Sequence, residues 1–322
     1  MNIVDFTETH AASARRLAQA QYDAECALVP ALPQARAPDL WDSAKNGLGV
    51  AAFEGDEMLG FLCVHGPFKN AFGSTKVKGV WSPVHAHAAV GAKTRVYHRM
   101  YQAAAEKWVA AGALSHAVTL YAHDEEAKQA WFTYGFGMRS IDAIKLIDAD
   151  AAVPKGDFFE LPRERFGDIQ KLGKALNRHC GESPIFMNRR FSPDIEGARF
   201  FAAKQEEKIV AYIKIRETGE CFASHAPDMM NVCGVYALPE VRGTGLYAGL
   251  LRYTEAVLTK EGYLRLGVDY EGFNPTALYF YPKHFAVYTN SVVRRIDERG
   301  TDGTYHRKYF LTIRKHYATI LV

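Results

Sequence analysis

The chain has 322 residues, which exceeds the usual size of one compact domain. Its residues are 48% hydrophobic and 12% aromatic, enough to build a substantial core. Lysine and arginine exceed aspartate and glutamate by only 39 to 36, an excess too small for a dedicated nucleic-acid binder. The five cysteines lack Cys-x-x-Cys spacing, and neither a signal peptide nor a membrane-spanning apolar run is visible, so we expect a cytoplasmic protein without nucleic-acid or membrane partners.

Strands and helices alternate in the pattern of the first half. The predicted elements, in chain order, are a strand at 2–6, a helix at 8–25, a hairpin of strands 49–53 and 58–64, a strand at 78–82, an amphipathic helix around 97–108, a strand at 117–121, a helix at 125–133 and a strand from 136. Pro83 follows the strand at 78–82, and proline cannot donate a ladder hydrogen bond.

The second half repeats this order at an offset of about 150 residues. Its predicted elements are a strand at 157–161, a helix at 162–177, a hairpin of strands 199–203 and 208–215, a strand at 231–237, a helix at 246–257, a strand at 264–269, a short helix at 275–281, a strand from 285 and one or two strands within 305–322. Residues 148–156, with Pro154 and Gly156, predict a linker. We therefore expect two α+β domains of similar topology, at 1–150 and 151–322.

A glycine-rich turn between the predicted strand 231–237 and the following helix is the strongest candidate for a ligand site. It reads Arg242-Gly243-Thr244-Gly245-Leu246-Tyr247. Glycine lets backbone approach a ligand closely, and the free N–H groups of a helix N-terminus favour an anion. We interpret the turn as a pyrophosphate site, the alternative being a turn that needs glycine only for its backbone shape.

Two motifs in this half resemble the GNAT superfamily of N-acetyltransferases. The turn resembles the Arg/Gln-x-x-Gly-x-Gly/Ala loop of that superfamily, with Tyr247 in place of the second small residue. Downstream, Asn274-Pro275-Thr276-Ala277-Leu278-Tyr279-Phe280-Tyr281 is similar to the superfamily's Asn-x-x-Ala-x-x-x-Tyr signature, although the Gly-Phe pair that commonly closes it is missing. The resemblance implies two tandem GNAT-like domains, each a mixed, mostly antiparallel twisted sheet flanked by helices, and transfer of acetyl from acetyl-coenzyme A to a primary amine.

The resemblance also implies roles for particular residues. Tyr281 is expected to protonate the departing thiolate as general acid, since a phenol with a pKa near 10 stays protonated at neutral pH. Either Ala237 or Leu238 is expected to turn its N–H toward the thioester oxygen. The expected cofactor contacts are Tyr236, Ala237, Leu238, Arg242, Gly243, Thr244, Gly245, Leu246, Tyr247 and Asn274. Asn274 has a second interpretation as a helix cap, and Tyr281 as a core tyrosine.

The first half resembles the same fold without the chemistry. Asp124 through Gly135 and Phe136 aligns with the second motif, but Trp131 stands at the tyrosine position and has no hydroxyl. Residues 84–93, after Pro83, lack the paired glycines that admit a pyrophosphate. We therefore expect a degenerate N-terminal domain and an active C-terminal one.

Several polar residues have weaker interpretations. The general base has four candidates near strand ends, which are Glu217, Glu220, His225 and Asp269, the alternative being a chain of water molecules. His85 and His87 lack a third ligand at recognisable spacing, so we expect a polar loop there and no metal. The pair Arg189-Arg190 fits either an anionic ligand or a solvated loop.

Two other functions compete with acetyl transfer. The spacing Gly243-x-Gly245-x-x-Ala248, with Asp269 ending the next strand, also fits a dinucleotide-binding oxidoreductase, but too few residues follow Asp269 for a doubly wound domain. A non-catalytic protein that senses acetyl-coenzyme A fits the substitution at Tyr247. The motifs specify neither the amine, which could be a small molecule or a peptide, nor the oligomeric state.

Overall fold

The fold is described from a computed structural model, which describes residues 1–73, 75–188 and 196–298. The first half contains β1 (Asn2–Asp5), α1 (Ala11–Leu28), α2 (Trp41–Lys45), β2 (Val50–Glu54), β3 (Glu57–Leu62), β4 (His65–Phe68), β5 (Lys78–Ser82), β6 (His87–Ala89), α3 (Lys93–Ala110), β7 (Ala113–Tyr121), α4 (Glu125–Thr133) and β8 (Gly137–Leu146).

The second half repeats the same alternation after a linker. It contains β9 (Asp157–Glu160), α5 (Gln170–Gly181), β10 (Arg199–Gln205), β11 (Lys208–Arg216), β12 (Met229–Ala237), α6 (Leu246–Lys260), β13 (Arg265–Glu271), α7 (Pro275–Phe280) and β14 (Ala286–Arg295). None of the helices within the described ranges combines the length and apolar character that a bilayer crossing requires.

Most predicted elements form where hydrophobic periodicity places them. The structure confirms β5 and α4 to the residue, and α3 buries the predicted apolar face from Tyr97 to Trp108. The predicted helix at 162–177 is instead a 3-10 segment, Arg163–Ile169, followed by α5. The short elements α2, β4 and β6 were not predicted, and the predicted strands within 305–322 lie outside the described residues.

The described strands form two sheets of very different size. The smaller one has the order β1-β2-β3-β6, and the larger has the order β4-β5-β7-β14-β8-β13-β12-β11-β10-β9. Only the pairs β5–β7 and β12–β13 are parallel among the strand pairs described. This mixed, mostly antiparallel architecture confirms the predicted fold class and differs from the parallel doubly wound sheet of a dinucleotide-binding domain.

The centre of the large sheet is built from both halves. Strand β14 of the second half lies between β7 and β8, and β8 of the first half pairs with β13 and β14. We call β8 and β14 the exchanged pair. Lys145 on β8 adds a buried ion pair with Glu255 on α6, at 2.6 Å. The linker near residue 150 therefore separates two repeats in sequence but does not divide the sheet.

A branching of two strands positions the site in the second half. Strands β12 and β13 run parallel and are paired from Met229↔Arg265 to Val232↔Val268. Beyond Val232 the pairing between them stops, while β12 stays paired with β11 as far as Ala237. A bulge at Cys233 marks the point of divergence, because Lys214 is opposite Gly234 and Ile215 opposite Val232. The two strands thus open into a cleft that widens toward α6 and α7.

Candidate active site

The cleft between β12 and β13 holds a cavity of about 370 Å³. Its walls come from five elements, β12, β13, α5, α7 and the first turn of α6, and its mouth is the loop that precedes α6. Eight of the predicted site residues line it, namely Tyr236, Ala237, Arg242, Gly243, Gly245, Tyr247, Asn274 and Tyr281. The cavity is within the size range of small-molecule sites.

The end of β12 presents two backbone N–H donors on its side away from β11. The N–H of Leu238 donates to the Val210 carbonyl at 2.9 Å, so it belongs to the sheet and not to the cleft. Because successive N–H groups of a strand point to opposite sides, those of Ala237 and Val235 face away from β11, toward the opening. Of the two predicted oxyanion donors, the structure thus leaves Ala237 in position and excludes Leu238.

The backbone of the glycine turn is left-handed at both glycines and has open space beside it. Gly243 and Gly245 have φ values of +75° and +86°, and a β-carbon built on either would meet no heavy atom within 4 Å. Packing therefore does not require glycine here, whereas the left-handed backbone does. Both positions present backbone to open space at the cavity mouth, which fits close approach by a phosphate.

Two other members of the turn serve its own structure. Thr244 Oγ1 donates to the Val241 carbonyl at 2.8 Å and lies 3.4 Å from the N–H of Leu246. The side chain of Leu246 packs on the core of the second half. Neither residue lines the cavity, so only their backbone groups are placed to contact a ligand. In the first hydrogen bond of the α6 ladder, the Gly249 N–H donates to the Gly245 carbonyl at 2.9 Å. The N–H groups that precede Gly249 are therefore not part of the helix ladder.

Arg242 is held at the end of β12. Its Nε donates to the Ala237 carbonyl at 3.0 Å, and its guanidinium lies 5.2 Å from the centre of the Tyr236 ring. These two contacts fix the side chain while leaving the Nη groups available beside the turn. The arrangement places a permanent positive charge at the cavity mouth.

Three tyrosines form the inner wall. Tyr281 is 3% exposed, and its hydroxyl lies 3.0 Å from the hydroxyl of Tyr247. The ring of Tyr270 stacks on that of Tyr281 at 5.0 Å and 29°. Burial raises the pKa of Tyr281 and of Tyr247, and raises the pKa of Tyr270 to about 12. All three phenols therefore stay protonated at neutral pH.

Asn274 has the helix-cap geometry that was its alternative interpretation. Its Oδ1 accepts from the N–H of Thr276 at 3.2 Å and from Thr276 Oγ1 at 2.7 Å, and it lies 3.3 Å from His179 Nε2. It also lines the cavity, so the cap and the cleft use the same residue. His179, Leu176 and Cys180 extend the wall from α5, a contribution that sequence reasoning missed.

The four candidate bases separate clearly. Asp269 lines the cavity, whereas Glu217, Glu220 and His225 lie in the connection between β11 and β12 and do not line it. The Glu217 carbonyl accepts from Asn231 Nδ2, and His225 Nε2 is bonded to the Gly219 carbonyl at 2.9 Å. The connection approaches the start of β12, the end opposite to the cleft. Asp269 is the candidate that the geometry retains.

The corresponding region of the first half is closed. Strand β6 forms inside the stretch 84–93, and only Val90, Gly91 and Ala92 separate it from α3, compared with the eight residues between β12 and α6. His87 is buried there, bonded to the Thr119 carbonyl at 2.7 Å and to Tyr97 at 3.0 Å. Trp131 is buried against the Tyr97 ring at 5.8 Å. Side chains thus fill the space that the second half leaves open.

The two histidines that were considered as metal ligands contact protein groups instead. His85 packs edge-on against Phe222 at 5.6 Å, and burial lowers the pKa of both His85 and His87 to about 4. Within the described ranges, no group of three or more His, Cys, Asp or Glu side chains could hold a metal ion. Arg189 and Arg190 lie outside the described residues.

Comparison with known proteins gives a family match for part of the sequence and similar solved structures for the fold. Residues 170–286 match the sequence profile of the acetyltransferase (GNAT) family. A GCN5-related N-acetyltransferase from Sphaerobacter thermophilus has a TM-score of 0.53 and 14% identity, covering 91% of this chain and 95% of its own. A GNAT-family acetyltransferase from Colwellia psychrerythraea has a TM-score of 0.47 and 12% identity, covering 92% and 100%. No curated protein sequence matches this chain. Residues 170–286 of this chain therefore carry a sequence typical of the acetyltransferase (GNAT) family.

Proposed function

We propose that this protein transfers an acetyl group from acetyl-coenzyme A to a primary amine, by direct attack of the amine in a ternary complex. The observation that carries the proposal is the cleft between β12 and β13, which joins an anion-shaped turn at its mouth to a buried tyrosine at its inner wall. Acetyl-coenzyme A supplies both a pyrophosphate for the turn and a thioester for the inner end. The proposed acceptor is a small-molecule or peptide amine.

The residues of the mouth suit the phosphate end of the cofactor. Gly243 and Gly245 leave open space where side chains would stand, and the helix ladder of α6 begins only at the Gly249 N–H, so the N-terminal end of the helix adjoins this space. Arg242, held by Ala237 and Tyr236, adds positive charge. These groups bind and orient the cofactor and take no part in the acyl transfer itself.

The residues of the inner end suit the chemistry of a thioester. The Ala237 N–H faces away from β11, toward the opening, and is the proposed donor to the carbonyl oxygen as that oxygen gains negative charge. A donor that is already in place lowers the barrier to attack. Tyr281 holds a proton beside the cleft and can deliver it to the leaving sulfur. Asp269, on the wall of the cavity, is the candidate to accept the proton that the amine loses, directly or through water.

Calorimetric titration of the purified protein with acetyl-coenzyme A, beside NADH, tests the proposal. We expect one acetyl-coenzyme A site per chain, because the first half is filled by His87, Tyr97 and Trp131. Gly245→Glu should abolish binding, since it puts a side chain and a negative charge into the turn. Absence of acetyl-coenzyme A binding, or binding of NADH in its place, would refute the proposal. Binding without consumption of the thioester by water or any amine would refute the enzymatic part.

A further inference from the structure

Tyr247 stands where the GNAT loop has a small residue, and the structure gives its side chain a specific partner. The two hydroxyls of Tyr247 and Tyr281 are 3.0 Å apart, a normal hydrogen-bond distance. Each phenol has one proton, so one hydroxyl donates to the other. The hydroxyl that accepts keeps its own proton free for another acceptor.

We infer that Tyr247 is a positioning residue for the acid step, donating to the Tyr281 oxygen so that the Tyr281 proton points into the cleft. The inference rests on the proposed function, because it assigns the bond a role in protonating the leaving thiolate. It extends that function by giving Tyr247, the residue that departs from the loop motif, a role in orienting the acid Tyr281.

Electrostatics agree with this direction of donation. Burial raises the pKa of both phenols, which penalises a phenolate at either position. The hydrogen bond between them opposes the rise in pKa at Tyr281 and adds to the rise at Tyr247. A donor stabilises a negative charge on its acceptor, so a bond donated by Tyr247 favours ionisation of Tyr281 over ionisation of Tyr247.

Ring packing holds the two hydroxyls together. The Tyr247 ring meets Phe280 edge to face at 4.8 Å, and Phe280 meets Tyr281 at 5.4 Å and 85°. Tyr270 stacks on the Tyr281 ring. Because α6 carries Tyr247 while Tyr281 follows α7, the bond also ties together the two helices that border the cleft. The hydrogen bond is thus set before any ligand binds.

The proton movements balance without a further reactant. As the amine nitrogen forms its bond to the acyl carbon, the carbon–sulfur bond breaks and its electron pair stays on sulfur. Tyr281 gives its proton to that sulfur, and Tyr247 donates a hydrogen bond to the resulting phenolate. The attacking amine loses one proton to Asp269, and this proton is then carried through water to the phenolate, so Asp269 and both tyrosines end the cycle as they began.

Phenylalanine substitutions that remove only hydroxyls test the inference. Acetyl-coenzyme A consumption is followed as released thiol, with the amine that gives the fastest wild-type turnover. Tyr247→Phe should lower kcat about tenfold and leave KM within about twofold, because the lost bond acts only as charge develops. Tyr279→Phe, which removes the hydroxyl of an exposed ring on α7, is the matched control and should keep wild-type kcat. Tyr247→Leu, which also lacks the hydroxyl, should reproduce the loss in kcat.

The double variant decides whether the two tyrosines act together. If Tyr247 works through Tyr281, the Tyr247→Phe/Tyr281→Phe enzyme should be no slower than Tyr281→Phe alone. Unchanged kcat in Tyr247→Phe, or losses that multiply in the double variant, would overturn the inference while leaving acetyl transfer intact. A wild-type protein that never consumes acetyl-coenzyme A would instead overturn the proposed function, and the inference with it.

Discussion

Two glycines at opposite ends of helix α6 allow backbone strain to be separated from ligand binding. Gly245 precedes the helix with a φ of +86°, and Gly262 follows it with a φ of +90°. A β-carbon at either site would meet no heavy atom within 4 Å, so alanine would clash at neither. Of the two, only Gly245 lines the cavity, and the helix between them is about 22 Å long.

Alanine at either position should cost a similar amount of stability. An L-residue in left-handed backbone costs about 1–2 kcal/mol, and neither site adds a steric term. Urea unfolding of Gly245→Ala and Gly262→Ala should therefore give free energies of unfolding that are lower than wild type by about the same amount.

Affinity for acetyl-coenzyme A should differ between the two variants. A methyl group at Gly245 keeps an anion away from the backbone donors of the turn, and losing one charge-assisted hydrogen bond costs about 1.5–3 kcal/mol. We expect binding to Gly245→Ala to weaken by about 10- to 100-fold in calorimetry, and Gly262→Ala to bind as wild type. Equal affinities in the two variants would show that the turn needs glycine only for its shape.

Two further predictions concern single titratable groups. Tyr281→Phe should lower kcat while the Kd for acetyl-coenzyme A stays nearly constant, and parallel loss of both would assign Tyr281 to packing. Asp142 accepts a hydrogen bond from Thr289, yet desolvation raises the pKa of its carboxyl to about 6 from 3.8. The unfolded chain releases this proton at lower pH than the folded one, so Asp142 removes stability as the pH rises from about 4 to 6. The free energy of unfolding of Asp142→Asn, measured in urea, should therefore rise relative to that of wild type by about 2–3 kcal/mol between pH 4 and pH 7. A difference between the two proteins that does not change with pH would contradict the raised pKa.

Periodicity and turn chemistry were sufficient to predict the repeating elements from sequence. The glycines of the turn are recognisable because their backbone shape is local, and the Asn274 cap is a short-range pattern for the same reason. Alternating Leu266, Val268 and Tyr270 also indicate one buried face of β13, which is the face that carries Tyr270 to the cavity.

Features that depend on pairing between distant segments could not be predicted in the same way. The Leu238 N–H donates to β11 and the Ala237 N–H faces the other way, and this difference is fixed by the register between β12 and β11. Strand β6 is three residues long, too short for an alternation to show. The hydroxyl contact between Tyr247 and Tyr281 joins residues 34 apart in sequence and depends on how α6 and α7 pack. The exchanged pair likewise has no local sequence signal.

The exchanged pair also determines the order in which this chain can acquire its structure. Among the described strands, β8 finds sheet partners only in β13 and β14, which the ribosome makes more than 100 residues later. A nascent first half therefore carries an open sheet edge until the end of the second half emerges, and the closing contacts are distant ones, which form slowly. Residues 1–150 expressed alone should accordingly aggregate through the open sheet edge. Co-expression with residues 151–322 should reduce this aggregation, because each half then supplies the strand that the other lacks.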